Sequence, residues 1–313
     1  MKKEKLLVIV GPTAVGKTAL SIQLAQTFQG EIISGDSLQV YRQLDIGTAK
    51  VTPEEASGIP HHMIDVKEPS EAYSAFEFKK EAEKRMTEIK ERHHLPIVAG
   101  GTGMYIQSLL FNFQLGSPED AGEAEKRREY WENFAKEQGK EKLWQVLKDM
   151  DSKAAATIHE NNEKRVIRAI EVFEKTGTSI LDQQKIDYKD LSQSSYDVKL
   201  IGLVTDRELL YERINHRVDI MMTKGLLEEA EFVYSLGEVQ AAQGIGYKEF
   251  FPYFRGEMSL DDCVEKVKQH SRQYAKRQLT WFRNRMTVDW YDIVTYPEKL
   301  SDIEESVKHW LTE

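Results

Sequence analysis

Hydrophobic residues along the first hundred positions form short runs, and between the runs they recur about every 3.6 residues. The runs predict β-strands, and the periodic stretches predict α-helices over 17–28 and 74–92. The predicted strands are 5–10 (KLLVIV), 31–34 (EIIS), 62–66 (HMIDV) and 96–99 (PIVA). Strands that alternate with helices favour a parallel sheet with helices on both of its faces.

The character of the chain changes at about residue 117, where it becomes rich in charge and shows no strand pattern. The helices predicted in this stretch are 119–138, 140–149, 152–159 and 162–176. Strand patterning returns at 198–204 and again at 288–294. We therefore predict an α/β core built from residues 1–116 and 197–313, interrupted by an all-helical insertion domain at 117–196.

Three capping patterns predict where the later helices begin, because a Ser or Thr followed three residues later by an acidic residue satisfies free N–H groups. The pairs are Thr205 with Glu208, Ser259 with Asp262, and Ser301 with Glu304. The first of these helices is expected to run to about residue 223 and the second to about residue 285.

Residues 11–18, GPTAVGKT, fit the P-loop pattern G-x-x-x-x-G-K-[ST] and stand between a predicted strand and a predicted helix. In such a loop, successive N–H groups and the positive end of the helix cradle a diphosphate or a longer phosphate chain. We expect Lys17 to reach the terminal phosphate and the Thr18 hydroxyl to be placed for Mg²⁺. The predicted diphosphate-binding residues of the loop are Gly11, Thr13, Ala14, Val15, Gly16, Lys17 and Thr18. The motif makes the core a sheet of the P-loop NTPase type.

A phosphate cradle does not define the reaction, because kinases, ATPases and GTPases share it. The Asn-Lys-x-Asp motif of GTPases is absent from the sequence. Asp65 and Asp206 each follow a strand-like stretch, and the pattern does not choose between them as a Walker B acid. The residues alone therefore do not establish nucleotide hydrolysis.

Two further loops follow predicted strands and are expected at the same sheet edge as the P-loop, where ligands bind in such folds. Asp36 follows strand 31–34 and would face a bound substrate there, or it could simply form a turn. Gly100-Gly101-Thr102-Gly103 follows strand 96–99, and Thr102 is its one polar side chain. On the helix after residue 206, Arg213 and Arg217 share a face that could be solvated or could clamp phosphate.

The charge balance argues at first against a nucleic-acid partner, since 43 Lys and Arg stand against 52 Asp and Glu, a net charge of −9. The distribution changes this picture. Segment 264–285 holds seven basic residues and one acid, with interleaved aromatic residues, which is typical of nucleic-acid binding. The insertion adds basic clusters at 126–128 and at 164–168, so a polyanionic partner remains compatible with the sequence.

Other classes are excluded more simply. A single cysteine, Cys263, cannot form an internal disulfide or a cysteine-rich zinc site. The apolar run at 6–10 is too short for a transmembrane span or a signal sequence. We therefore expect a cytoplasmic protein without membrane association, and no obligate protein partner is evident.

The motifs together resemble those of the bacterial tRNA dimethylallyltransferases, also called tRNA isopentenyltransferases. The matching segments are GPTAVGKT at 11–18, GDSLQVYRQLDIGTAK at 35–50, HHMIDV at 61–66, YSAFEF at 73–78, GGTGMYIQSLL at 100–110, RINHRVDIMMTKGLLEE at 213–229, QGIGYKEF at 243–250 and KRQLTWFRNR at 276–285. The combination of a P-loop with GDSxQVYR is specific, because ordinary P-loop kinases lack it. The resemblance runs nearly from end to end of the chain.

This resemblance implies transfer of a dimethylallyl group from dimethylallyl diphosphate to N6 of the adenosine 3′-adjacent to the anticodon of tRNA. The implied catalytic residues are Asp36 as the base, Thr102, Lys17 and Arg217, with Arg213 and Arg217 also on the diphosphate and Mg²⁺ near Thr18, directly or through water. The implied tRNA-binding residues are Asp36, Ser37, Leu38, Gln39, Thr102, Arg127, Arg128, Lys276, Arg277 and Arg283. The insertion domain is expected to clamp the anticodon stem-loop.

Three alternatives stay open at the level of the sequence. The first is a P-loop kinase of a nucleotide or small metabolite, with the Arg213 and Arg217 helix as its lid. The second is a prenyltransferase that acts on free AMP, although a helical insertion of this size argues against it. The third is an RNA-binding protein without catalytic activity.

Overall fold

The computed structural model describes residues 3–111, 121–182 and 186–313. The chain forms two compact units, Met1–Phe113 with Tyr188–Glu313, and Gln114–Asp187. The second boundary precedes the predicted residue 197, because the segment after it packs on the first unit. The Tyr188 ring lies 5.1 Å from that of Phe111, edge to face, and the Ser194 hydroxyl donates to the Leu110 carbonyl at 2.9 Å.

The first unit contains a six-stranded parallel sheet in the order β3-β2-β4-β1-β5-β6. The strands are β1 (Lys5–Val10), β2 (Gly30–Ser34), β3 (His61–His62), β4 (Leu95–Gly100), β5 (Asp197–Leu203) and β6 (Asp289–Tyr291). The sheet is flanked by helices, so the predicted α/β fold of the P-loop type is confirmed. Strand β1 is buried on both faces, as expected for a central parallel strand.

Helices of the first unit are α1 (Lys17–Phe28), α2 (Pro53–Ala56), α3 (Ala75–Glu91), α4 (Gly103–Leu110), α9 (Arg207–Thr223), α10 (Leu226–Ser235), α11 (Phe251–Phe254), α12 (Leu260–Arg285) and α13 (Lys299–Thr312). The second unit contains α5 (Ala121–Gln138), α6 (Lys140–Met150), α7 (Ser152–Ala155) and α8 (Glu163–Thr176). Its core includes the buried residues Leu143, Leu147, Val166 and Ile170. No helix in the described ranges is both long and apolar enough to cross a bilayer.

Several predicted boundaries were wrong for local reasons. Strand β3 ends at His62 instead of continuing to residue 66, because Met63 and Asp65 take the left-handed conformation, with φ of 65° and 56°. Strand β6 is likewise shorter than the predicted 288–294. These strands lie at the two edges of the sheet, where each pairs on one side only.

Two of the three predicted helix starts were also wrong. The cap of α9 is Asp206, one residue after Thr205, and its carboxylate accepts from the N–H groups of Glu208 and Leu209. Helix α13 begins two residues before Ser301, after Glu298. The Ser259 side chain does cap α12, since it accepts from the N–H of Asp262 at 3.2 Å.

Candidate active site

The P-loop connects β1 to α1, which begins at Lys17. Gly11 has φ of 148°, and a Cβ atom there would lie 2.7 Å from the carbonyl oxygen of Leu203 on the neighbouring strand β5. The first glycine of the motif is therefore required both by its backbone conformation and by its close packing. This turn places the N-terminus of α1 at the carboxyl edge of the sheet.

A cavity of about 380 Å³ opens at this edge, and its lining comes entirely from the first unit. Its polar lining includes Thr13, Lys17, Thr18, Asp36, Arg217 and Gln278. Its apolar lining includes Ile32, Val51, Ile64, Val218, Met221 and Val267. The structure thus brings together cations, a carboxylate and an apolar wall in one chamber.

Lys17 lines the cavity, where its surroundings disfavour the charged form of its side chain. Burial, together with the charge of Arg217, lowers the pKa of Lys17 to about 8, and the opposing effect of Asp36 is smaller. The ammonium group donates to the carbonyl of Pro12 at 2.6 Å, within its own loop. An anion bound in the cavity would relieve this electrostatic cost.

The two arginines predicted on one helix face have different positions. Arg217 lines the cavity, and burial lowers the pKa of Arg217 against the opposing charges of Asp36 and Glu55. Arg213 is exposed, and its Nε donates to the carbonyl of Ala14 at 2.9 Å. The structure therefore places Arg217 in the chamber and Arg213 against the outside of the P-loop.

Asp36 lies in a turn and also faces the cavity, so both of the interpretations offered for it describe the structure. Its Oδ1 accepts from the N–H of Leu38 at 2.9 Å. The Thr102 hydroxyl oxygen accepts from the N–H of Ser37 at 3.1 Å, and Gln39 accepts from the Ser34 hydroxyl at 2.7 Å. Loop 36–39 is thereby tied to the end of β2 and to the loop after β4, and Thr102 holds it without lining the cavity itself.

The basic residues predicted for RNA binding lie outside the cavity lining. Lys276, Arg277 and Arg283 are exposed on α12. The guanidinium of Arg277 lies 5.7 Å from the ring centroid of Tyr274, and that of Arg283 lies 5.7 Å from the ring of Trp290. Each arginine thus lies beside an aromatic ring and, because it is exposed, keeps N–H groups at the protein surface.

The predicted pair in the helical unit is already engaged with carboxylates. Arg127 lies 3.8 Å from Glu174, and Arg128 donates two hydrogen bonds to the buried Glu171, at 3.0 and 3.1 Å. A phosphate would therefore have to share or displace these partners.

Sequence reasoning missed Tyr274 and Gln278, which reach the cavity from α12. Their spacing of four residues on one helix face was the available signal, but the segment was interpreted as a nucleic-acid-binding helix from its basic and aromatic residues. The two candidate Walker B acids have other roles, since Asp65 pairs with Lys50 at 2.6 Å and Asp206 caps α9. Neither lines the cavity.

The Mg²⁺ expected beside Thr18 can be tested against the donors present. Among the described residues, no group of three or more His, Cys, Asp or Glu side chains could hold a metal ion. Mg²⁺ in phosphate sites usually takes one or two protein oxygens and completes its shell with phosphate oxygens and water. The exposed Thr18 hydroxyl at the cavity wall fits that requirement.

The parallel sheet, the P-loop and the shared cavity define a P-loop α/β protein whose site combines phosphate-binding cations with a carboxylate. The IPP transferase family model matches residues 39–285. The chain belongs to the IPP transferase family, and it is a prenyltransferase by that membership.

Individual relatives agree with this assignment. The chain is 60% identical over 308 residues to a tRNA dimethylallyltransferase of Enterococcus faecalis, covering 98% of each sequence. It superimposes with a TM-score of 0.71 on a tRNA delta(2)-isopentenylpyrophosphate transferase of Staphylococcus epidermidis, at 47% identity over 99% of both chains. A eukaryotic dimethylallyltransferase acting on tRNA matches with a TM-score of 0.79, at 30% identity over 96% of this chain and 77% of that one.

Proposed function

We propose that the protein transfers the dimethylallyl group of dimethylallyl diphosphate to N6 of the adenosine 3′-adjacent to the anticodon in tRNA, and releases diphosphate. The single observation that carries this proposal is the composition of the cavity. Lys17 and Arg217 share it with Asp36 and with an apolar wall. The printed names of the relatives, tRNA dimethylallyltransferase and tRNA isopentenylpyrophosphate transferase, support the same reaction.

The cationic side of the cavity suits a diphosphate leaving group. When the bond between the allylic carbon and its oxygen breaks, negative charge develops on the diphosphate. Lys17, Arg217 and the N–H groups of the P-loop would stabilise that charge, which is usually the largest contribution in such sites. This role needs no Walker B acid and no attacking water.

Asp36 would supply the base that the acceptor requires. The lone pair of the adenine amino group is delocalised into the ring, so N6 is a weak nucleophile until it loses a proton. The N6 electron pair forms the new bond to the allylic carbon, and the N6 proton passes to the Asp36 carboxylate. Thr102 would act by fixing the loop that carries Asp36, through its hydrogen bond with the N–H of Ser37. The apolar wall would keep water away from the electron-poor allylic carbon.

Mg²⁺ would be held at Thr18 together with diphosphate oxygens, where it would supply further neutralisation of the leaving group. The protein side of that site is one hydroxyl, so the metal is expected to arrive with the donor substrate. Arg213 is proposed to serve the diphosphate indirectly, through the P-loop carbonyl that it contacts.

Recognition of tRNA is proposed to use loop 36–39 at the cavity and the exposed basic residues Lys276, Arg277 and Arg283 on α12. The helical unit is proposed to clamp the anticodon stem-loop, with Arg127 and Arg128 on phosphates. Because the target base is normally stacked, it must be splayed out before its amino group can reach the chamber. Action on tRNA would place the enzyme in the cytoplasm.

The proposal is tested by incubating the protein with unmodified tRNA and either dimethylallyl diphosphate or ATP, and then measuring the mass of the tRNA nucleosides. We expect one dimethylallyl group on an adenosine beside the anticodon with the first donor only. ADP formation without prenyl transfer would contradict the assignment and favour a kinase. Activity on free AMP with none on tRNA would reassign the acceptor.

The role of Asp36 is tested by Asp36→Asn, which keeps the size of the side chain and removes its basicity. We expect turnover to fall by about 10²- to 10⁴-fold, the usual contribution of a general base. Binding of tRNA, measured by filter retention, should be retained. Unchanged turnover would show that another group takes the proton.

A further inference from the structure

We propose that Gln278 and Tyr274 of α12 are positioning residues that hold the phosphate cradle and the Asp36 loop at a set separation. The inference deepens the proposed function and rests on it. Both side chains line the cavity, and their spacing of four residues puts them on one face of the helix. They come from a part of the chain far removed in sequence from the loops that they join.

Gln278 connects two of the three loops at the sheet edge by itself. Its Oε1 accepts from the N–H of Thr13 in the P-loop at 3.0 Å. Its Nε2 donates to the carbonyl of Gly101, in the loop after β4, at 3.1 Å. The side chain is 5% exposed, so water does not readily replace either partner.

This bridge needs an amide, because one partner is a donor and the other is an acceptor. A glutamate at 278 could accept from Thr13 but would turn a second oxygen toward the carbonyl of Gly101. Methionine would fill a similar volume and provide neither bond. The contact is also tight, since a Cβ atom on Gly101 would lie 2.0 Å from the Gln278 Nε2.

Tyr274 extends the connection toward the loop of Asp36. Tyr274 lines the same cavity as Asp36, one turn of α12 before Gln278, and burial together with the negative charge of Asp36 raises the pKa of Tyr274 to about 12. Thr102 follows Gly101, the residue to which Gln278 donates. Thr102 in turn accepts from the N–H of Ser37, which follows Asp36 directly. A series of hydrogen bonds therefore leads from Thr13 of the P-loop through Gln278 to the loop after β4, and from Thr102 of that loop to the residue beside Asp36, with Tyr274 lining the cavity next to this series.

The transfer reaction depends on the distance between the P-loop and the loop of Asp36. In the proposed reaction the diphosphate leaves from the P-loop, and the N6 proton passes to Asp36. These two loops must therefore keep a set distance while the allylic carbon moves from donor to acceptor. A displacement of about 1 Å in such an arrangement can cost about 100-fold in rate. The α12 pair would act on this distance without touching the reacting atoms.

The test compares Gln278→Met with Gln269→Met, a matched substitution at an exposed glutamine on the opposite side of α12. Single-turnover rates of prenyl transfer, KM for both substrates and thermal melting are measured for both variants and for the unchanged protein. We expect Gln278→Met to lower kcat by about 10- to 100-fold, with KM for tRNA within about twofold. Gln269→Met should behave like the unchanged protein.

Two further variants distinguish a positioning role of these side chains from an effect on folding or on packing. Gln278→Glu should lose as much rate as Gln278→Met, because it too cannot donate to Gly101. Tyr274→Phe removes one hydroxyl, and we expect it to lower kcat by about 3- to 10-fold with its melting temperature retained. Tyr274→Phe decides the matter if the Gln278 variants fail to fold.

The outcomes are distinct. Absence of prenyl transfer by the unchanged protein would contradict the proposed function. An active protein whose Gln278→Met and Gln269→Met variants turn over alike, or a Tyr274→Phe variant with unaltered kcat, would overturn the positioning role. If the loss of rate in Gln278→Met is explained fully by the loss of folded protein, the kcat of Tyr274→Phe decides between these outcomes.

Discussion

Strand β2 has a charged carboxylate near each end, and the two carboxylates lie in opposite electrostatic surroundings. Near its amino end, Glu31 is 2% exposed and receives hydrogen bonds from Arg92 at 2.8 and 2.7 Å. Its two oxygens also contact His62 at 2.6 Å and His94 at 2.7 Å. This end of the strand holds a charge whose partners are all supplied by the protein.

At the carboxyl end, β2 leads into Asp36, and the balance is reversed. Lys17 and Arg217 face the same cavity, and burial, followed by the charge of Arg217, lowers the pKa of Lys17. Asp36 offsets this only in part. The carboxylate at the amino end of β2 is therefore fully paired within the protein. The carboxyl end has an excess of positive charge that an anionic ligand can neutralise. We therefore propose that the first cluster serves stability and the second serves binding.

The largest test of this contrast compares Arg217→Ala with Arg213→Ala. We expect Arg217→Ala to lower kcat/KM for dimethylallyl diphosphate by about 10²- to 10³-fold, the usual cost of removing one stabilising donor. Arg213→Ala should cost about 10-fold or less, because it removes one exposed hydrogen bond to the P-loop backbone. Steady-state kinetics on the same tRNA measures both.

The pair provides its own control, since the two arginines share a helix and differ in what they face. Equal losses in the two variants would show that the excess positive charge is spread over the helix instead of being concentrated in the cavity. Neither substitution should lower the melting temperature by much, because neither arginine forms a buried ion pair with a described carboxylate.

The opposite end of the strand is tested by Glu31→Gln. We expect the free energy of unfolding to fall by about 2 kcal/mol, less than for a fully buried pair because Arg92 and His94 are partly exposed. Prenyl transfer per folded molecule should be unchanged. Denaturant unfolding and kcat measure these two quantities, and a loss of kcat without a loss of stability would contradict the division of roles.

The same cluster has a predictable pH dependence. Hydrogen bonds from Arg92 hold the pKa of Glu31 at about 2, against 4.5 for the free side chain. Since the folded state binds the proton more weakly, this stability is fully present above about pH 4.5 and is lost as the pH falls toward 2. Glu31→Gln should flatten the acid limb of the stability curve across this window.

Local sequence signals predicted that three loops meet at one sheet edge, and the structure brings these loops together there. The P-loop, Asp36 and Thr102 each follow a buried strand, so chain order and sheet geometry together put them at one edge. The predicted start of α9 was wrong because Asp206, next to Thr205, provides the cap. The capping pattern alone does not show which oxygen reaches the free N–H groups.

The α12 side of the site could not be found in the same way. Gln278 lies 265 residues after Thr13 along the chain, and only the folding of α12 across the sheet edge brings them together. The Glu31 cluster is similar, because Arg92 and His94 follow Glu31 by more than 60 positions. The neighbouring histidines differ in the same way, because His62 contacts Glu31, whereas His61 lines the cavity.

The smallest expected effect is the uptake of a proton by Lys17 when dimethylallyl diphosphate binds. Burial and the charge of Arg217 lower the pKa of Lys17 from 10.5 to about 8, so the folded protein binds fewer protons than the unfolded chain between these values. The cost of burying the charged form is present below about pH 8 and is relieved as the pH rises toward 10.5. A bound diphosphate should reverse this shift, because its negative charge favours the ammonium form.

Binding of dimethylallyl diphosphate at pH 8.5 should therefore take up about half to one proton per molecule of protein. Calorimetric titration in two buffers of different ionisation enthalpy measures this uptake. It should disappear near pH 7, where Lys17 is already charged, and also in Lys17→Arg, whose side chain stays charged at both values. Uptake that persists in Lys17→Arg would assign the proton to another group. Absence of uptake in the unchanged protein would mean that the cavity does not lower the pKa of Lys17. Either result would remove the contrast between the two ends of β2.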